Sequence, residues 1–162
     1  MSQPEHEVDK ELISDMVKAL LDWMGREYEC FGSTTFRNEN MNSGIEPDNC
    51  FYIQNQERVR GKRRLNLSID PPPDLAIEID VTSKTQLNAY ERLEVPELWC
   101  YSEHRLQVYI LQAGKYVASD SSPTFADLGA IERISQFVEM SLISGRSSAM
   151  RAFRAWMQEQ LA

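Results

Sequence analysis

Four acids and one lysine carry the chemistry this chain could perform: Asp48, Asp74, Glu78, Asp80 and Lys84. Three of the acids fall in one short run, Pro71-Pro72-Pro73-Asp74-Leu75-Ala76-Ile77-Glu78-Ile79-Asp80-Val81, which leads through Thr82 and Ser83 to Lys84. A run of strand formers alternates its side chains between two faces. Leu75, Ile77, Ile79 and Val81 therefore share one face, and Asp74, Glu78 and Asp80 share the other. Carboxylates on the inner face of a central strand are costly unless something neutralises them. A divalent cation is the leading candidate. Mg²⁺ takes oxygen ligands at about 2.0–2.1 Å, one or two of them carboxylates. At a rise of about 3.3 Å per residue, Asp74 and Glu78 start roughly 13 Å apart, too far to share one ion, while Asp80 is about 6.6 Å from Glu78. A partner for Glu78 must come from a neighbouring strand, about 4.8 Å away. Asp48, where an extended segment begins after Pro47, is the best placed. Asp48, Glu78 and Asp80 would then form an acidic site for Mg²⁺ or Mn²⁺ that polarises a phosphoryl oxygen and activates water. Lys84 would supply positive charge beside it. On residue types alone a plainer reading stands next to this one: Asp48 and Asp74 as turn acids after prolines, and Lys84 as a surface residue.

The elements that must position these residues follow from the apolar pattern. Leu12, Ile13, Met16, Val17, Leu20, Leu21 and Met24 recur at helical spacing and predict a helix over 8–24, stopped at Gly25. Residues 30–37 read as a strand rich in Phe and Thr, and 50–53 as a second, opened by Glu46-Pro47-Asp48. The segment 57–64 holds five basic residues and one acid; with 65–69 it reads as a hairpin leading into the prolines. A helix over 84–93 follows the acidic strand, 74–81. Strands over 97–101, 105–111 and 115–118 form a meander, and helices over 131–143 and 146–161 follow. Phe153, Trp156, Met157 and Leu161 give the last helix an apolar stripe that would suit a homodimer contact.

The 162 residues fit one domain, 1–162, with a real core. No apolar run reaches the roughly 18 residues of a membrane span, and the polar, acidic stretch 1–10 is not a signal peptide. Cys30, Cys50 and Cys100 are odd in number and form no C-x-x-C pair, which points to reduced thiols and a cytoplasmic setting. His6, in the polar leader, and His104, in a hairpin turn, lack partners at zinc-site spacing. Phosphate-loop, dinucleotide and serine-elbow motifs are missing. A formal net charge of -8 argues against a general nucleic-acid coat protein but leaves room for a metal-dependent nuclease with a local basic patch.

Several blocks occur together in order: G-S-T-T from Gly32, G-x-E-P-D from Gly44 to Asp48, C-F-Y-I from Cys50, P-P-P-D-L-A-I-E-I-D-V-T-S from Pro71, and V-P-E-L-W from Val95. In this the chain resembles the Uma-two family, restriction-endonuclease-like proteins of the PD-(D/E)XK superfamily, from about Gly32 to the final helix. The resemblance implies an α/β (α+β) fold: a restriction-endonuclease-like mixed β-sheet flanked by helices, with a Mg²⁺-dependent acid pair. Position by position, Asp48 matches the first aspartate and Glu78 the glutamate of the E-x-K element. The lysine of that element falls at position 80, where this chain has Asp80. Lys84 is the nearest replacement. The function implied is phosphodiester hydrolysis on nucleic acid, DNA foremost. The alternative is a catalytically weak or inactive module on the same fold that binds nucleic acid or protein; the missing lysine and the negative charge favour it.

Overall fold

The computed structural model describes residues 4–80, 84–126 and 128–160, with the side chains of Lys84 and Thr85 outside that description. Six strands form one sheet in the order β1-β2-β3-β4-β5-β6. They are β1 (Glu29–Cys30), β2 (Asn49–Tyr52), β3 (Leu75–Ile79), β4 (Glu97–Ser102), β5 (Arg105–Gln112) and β6 (Lys115–Ser119). Only β3 and β4 run parallel. A parallel pair needs a crossover, and α3 (Lys84–Leu93) supplies it. The antiparallel neighbours β4–β5 and β5–β6 are closed by tight turns. Glu103 and His104 both have positive φ, as do Ala113 and Gly114, the backbone that matches strand twist in two-residue hairpins.

Alternation along β3 sorts the molecule into two layers. Leu75, Ile77 and Ile79 pack with Trp99, Tyr101 and Val108 under α1 (Pro4–Trp23), α4 (Ala130–Ser144) and α5 (Arg146–Gln160). Six residues of the predicted stripe of α1 are buried there, Leu12, Ile13, Met16, Val17, Leu20 and Leu21; the seventh, Met24, lies just past the helix and is partly buried. Ala76 faces the opposite way, with Cys50, Tyr52, Leu98 and Cys100, beneath Tyr90 and Leu93 of α3 and Val59 of the short α2 (Gln56–Val59). Each aliphatic side chain so buried contributes about 1.5–3 kcal/mol. The fold is therefore α+β, a mixed sheet with helices on both faces, as the sequence implies.

Three local expectations are corrected. The first helix begins at Pro4, four residues before 8–24, because proline fits the first helical turn, where its missing N–H costs nothing. The strand over 30–37 shrinks to β1 and a single bridge between Phe36 and Ile45. Gly32 takes positive φ, and the Thr34 hydroxyl bonds back to the Phe31 carbonyl, turning the chain off the sheet edge. The basic hairpin does not form. Residues 56–59 are helical, and the following loop is tied by Asp70, which accepts from the Asn66 N–H and pairs with Lys62. Among the described residues no helix is long and apolar enough to cross a membrane.

Candidate active site at the end of strand β3

Asn49 of β2 lies opposite Ile77 of β3. One step outward along that antiparallel pair places Asp48 opposite Glu78, the adjacency expected from strand spacing. Asp48 is held by its Oδ2, which accepts the main-chain N–H of Ile79 at 2.7 Å. Glu78 is only 8% exposed, and its Oε1 accepts the hydroxyl of Tyr90, which reaches down from α3. Burial pushes the Glu78 carboxyl up to about 8; the Tyr90 hydrogen bond opposes this, and the charge and hydrogen bonding of Asp48 add to it. Without a cation Glu78 therefore holds its proton at neutral pH.

Asp80 goes elsewhere. It follows the last residue of β3 with φ 61°, and its N–H bonds the Tyr101 carbonyl at 2.7 Å. Left-handed backbone breaks the two-residue alternation, and aspartate is among the few side chains that tolerate it. The Asp80 carboxylate is 62% exposed and lies 3.6 Å from Nδ1 of His6. The other ring nitrogen of His6, Nε2, is 3.0 Å from Oδ1 of Asp48. An ionised carboxylate only accepts, so Nε2 carries the hydrogen. His6 thus bridges Asp48 and Asp80 from the first turns of α1. Asp9, one turn further along α1, is also buried, and its carboxyl is raised by burial and by the charge of Glu5. Among the described residues no three His, Cys, Asp or Glu side chains converge to hold a metal; the close acid pair is Asp48 with Glu78. Lys84 opens α3, directly beyond this end of the strand, but its side chain lies outside the described residues.

The remaining acids on these strands are structural. Asp74 accepts the N–H groups of Ile53 and Asn55 at 2.7 and 3.0 Å and the side-chain amide of Asn55 at 2.9 Å, fixing the corner from β2 into α2. Glu97 of β4 is fully paired, with the Trp99 indole, the Ser122 hydroxyl, and the N–H and hydroxyl of Thr124. That pairing explains the V-P-E-L-W block: the glutamate pins the segment after β6 onto the sheet.

Nothing in the residues around His6 predicts its contact with Asp48 from sequence spacing alone. The available signal was Pro4, which extends the helix backward and turns a polar leader into a first helical turn.

The family model for Uma2, described as "Putative restriction endonuclease", matches residues 1–133. The chain belongs to this family. The Uma2 match takes in α1 with His6 and all six strands, and ends inside α4. It therefore starts earlier and stops earlier than the sequence blocks indicate. A solved structure of a putative nuclease belonging to DUF820, from Anabaena variabilis ATCC 29413, superposes with a TM-score of 0.53 at 20% identity, covering 78% of this chain and 76% of that one. At that identity the likeness supports the Uma2 chain's fold. No curated protein matches the chain.

Proposed function

We propose that this Uma2 chain hydrolyses phosphodiester bonds in nucleic acid, DNA foremost, with Mg²⁺ or Mn²⁺ held by Asp48 and Glu78. The observation that carries the reading is the state of Glu78: a buried carboxylate beside a second carboxylate, given one hydroxyl donor and, among the described residues, no cationic partner. An all-oxygen donor pair of this kind fits a hard divalent ion. When bound, such an ion supplies Lewis-acid polarisation of a phosphoryl oxygen and acidifies a water.

The chain's own residues do the rest. Glu78 gives up its proton to become a ligand. The Ile79 N–H fixes the plane of the Asp48 carboxylate, and Tyr90 holds Glu78 against rotation. Within the PD-(D/E)XK pattern Asp48 and Glu78 are the acid pair, and Asp80 occupies the lysine position, where it supplies no positive charge. Lys84, at the start of α3, takes over the cationic role. Removing a single preorganised charge stabiliser costs about 10²–10³ in rate.

The test is Mg²⁺- and Mn²⁺-dependent cleavage of mixed DNA and RNA substrates by wild type, Glu78→Ala and Lys84→Ala. Cleavage lost in Glu78→Ala and reduced at least about 10²-fold in Lys84→Ala supports the reading. A second reading, a non-catalytic module on the same fold, is favoured by Asp80 at the lysine position; it prevails if wild type cleaves neither substrate while binding one of them.

A further inference from the structure

We propose that His6 is the positioning residue of the acid pair, and that Asp80 stands at the lysine position because it serves His6. The inference rests on the metal-ion reading above. It begins with the two oxygens of Asp48. One takes the Ile79 N–H at 2.7 Å and the other takes His6 Nε2 at 3.0 Å. These two donors hold the carboxylate in its plane, and once Glu78 gives up the proton it shares with Asp48 the remaining lone pairs are open for a cation. The Ile79 contact is main chain and is untouched by substitution of His6 or Asp80. Two side chains meet Asp48, Glu78 from the neighbouring strand and His6, and the His6 contact comes from a different layer of the molecule.

That layer is well anchored. Leu12, Ile13 and Met16 bury α1 against the β3 face that carries Ile77 and Ile79. The first turns of the helix are thereby held over the end of β3, and the His6 ring is 19% exposed between the two aspartates. Asp80 completes the arrangement. Positive φ takes it out of the face it would share with Glu78 and sets its carboxylate by Nδ1. A lysine at that corner would face two penalties: an unfavoured left-handed backbone and a like-sign neighbour whenever His6 is charged. Aspartate suits the backbone, and its charge suits the ring when both ring nitrogens carry hydrogen. Ligand carboxylates and imidazoles throughout metalloproteins are held by such outer partners, and losing one typically costs 10–100-fold in metal affinity.

The test is Mn²⁺ binding to the full chain, followed by electron paramagnetic resonance of the free ion, for wild type, Glu78→Ala, His6→Ala, His6→Gln, Asp80→Asn and the double variant of His6→Ala with Asp80→Asn. Circular dichroism confirms that each is folded. Gln retains a donor that can reach Asp48, so His6→Ala should weaken binding roughly 10–100-fold and His6→Gln should recover most of the loss. Asp80→Asn keeps the left-handed corner and removes the charge. At an exposed 3.6 Å contact its effect should be small, roughly two- to fivefold, and it should vanish in the His6→Ala background, because the two act in series. Wild-type affinity in His6→Ala, with Glu78→Ala defective, overturns the inference and leaves the metal reading standing. An Asp80→Asn loss that persists without His6 overturns the second half of the proposal and makes Asp80 an independent ligand. Equal binding by wild type and Glu78→Ala overturns the metal reading, and the inference with it.

Discussion

The two ends of β3 carry two buried acids under opposite conditions. Asp74 and Glu78 are 7% and 8% exposed and four residues apart, Asp74 just before the five-residue strand and Glu78 inside it, one residue from its end. Among the described residues Asp74 collects three N–H donors, two of them main chain, and no second acid is bonded to it. Among the described residues Glu78 collects one hydroxyl, and it faces Asp48. Burial alone therefore does not mark a site. A buried carboxylate whose lone pairs are filled by backbone is part of the scaffold; one left short of donors, with a second carboxylate alongside, is held ready for a cation or a proton. Glu97, equally buried and fully paired, falls with Asp74.

Substitutions at the two ends should separate in kind. The largest effect belongs to Asp74→Ala, which strands two main-chain N–H groups and an amide. Unsatisfied buried donors cost about 1–3 kcal/mol each, so urea unfolding should show a loss of about 3 kcal/mol, with Mn²⁺ affinity of the folded fraction unchanged. Next comes pH. The Glu78 carboxyl is raised in the folded chain from an ordinary 4.5 to about 8. The folded state binds that proton more tightly than the unfolded state, so its stabilising contribution is complete below about 4.5 and is lost as pH rises to about 8. In EDTA, Glu78→Gln should match wild type near the acid end of this window and exceed it in stability at the alkaline end, by a few kcal/mol at most. Parallel stability curves for the two would place Glu78 with Asp74. The smallest effect is Tyr90→Phe, which removes the hydroxyl donor. Denaturation should show about 1 kcal/mol lost, and the pH midpoint for Mn²⁺ binding should move upward, because the Tyr90 bond favours the ionised acid.

The adjacency of Asp48 and Glu78 was legible in the sequence because it depends only on strand rise, strand spacing and two-residue alternation, and β2 and β3 keep all three. The crossover helix and the β4–β6 meander were legible for the same reason: their signals are local. Asp80 was placed on the Glu78 face because alternation was carried one residue past the end of the strand. A single left-handed residue cancels it, and nothing in the composition of I-D-V-T announces that turn. The contact of His6 with Asp48 spans 42 residues and exists only because α1 docks on β3; periodicity within either segment cannot express it. The segment 57–64 misled because its charges read as a hairpin tip, whereas Asp70 and Asn66 organise it as a loop.

The central claim is that Glu78 holds a proton which a divalent cation displaces. Calorimetric titration of the full chain with Mn²⁺ at pH 7, repeated in two buffers of different ionisation enthalpy, measures this directly. With a carboxyl at about 8, binding should release about one proton, and affinity should rise about tenfold per pH unit up to that value before levelling off. Glu78→Gln should release none. Mn²⁺ binding by wild type without proton release, or the same release from Glu78→Gln, would contradict the account.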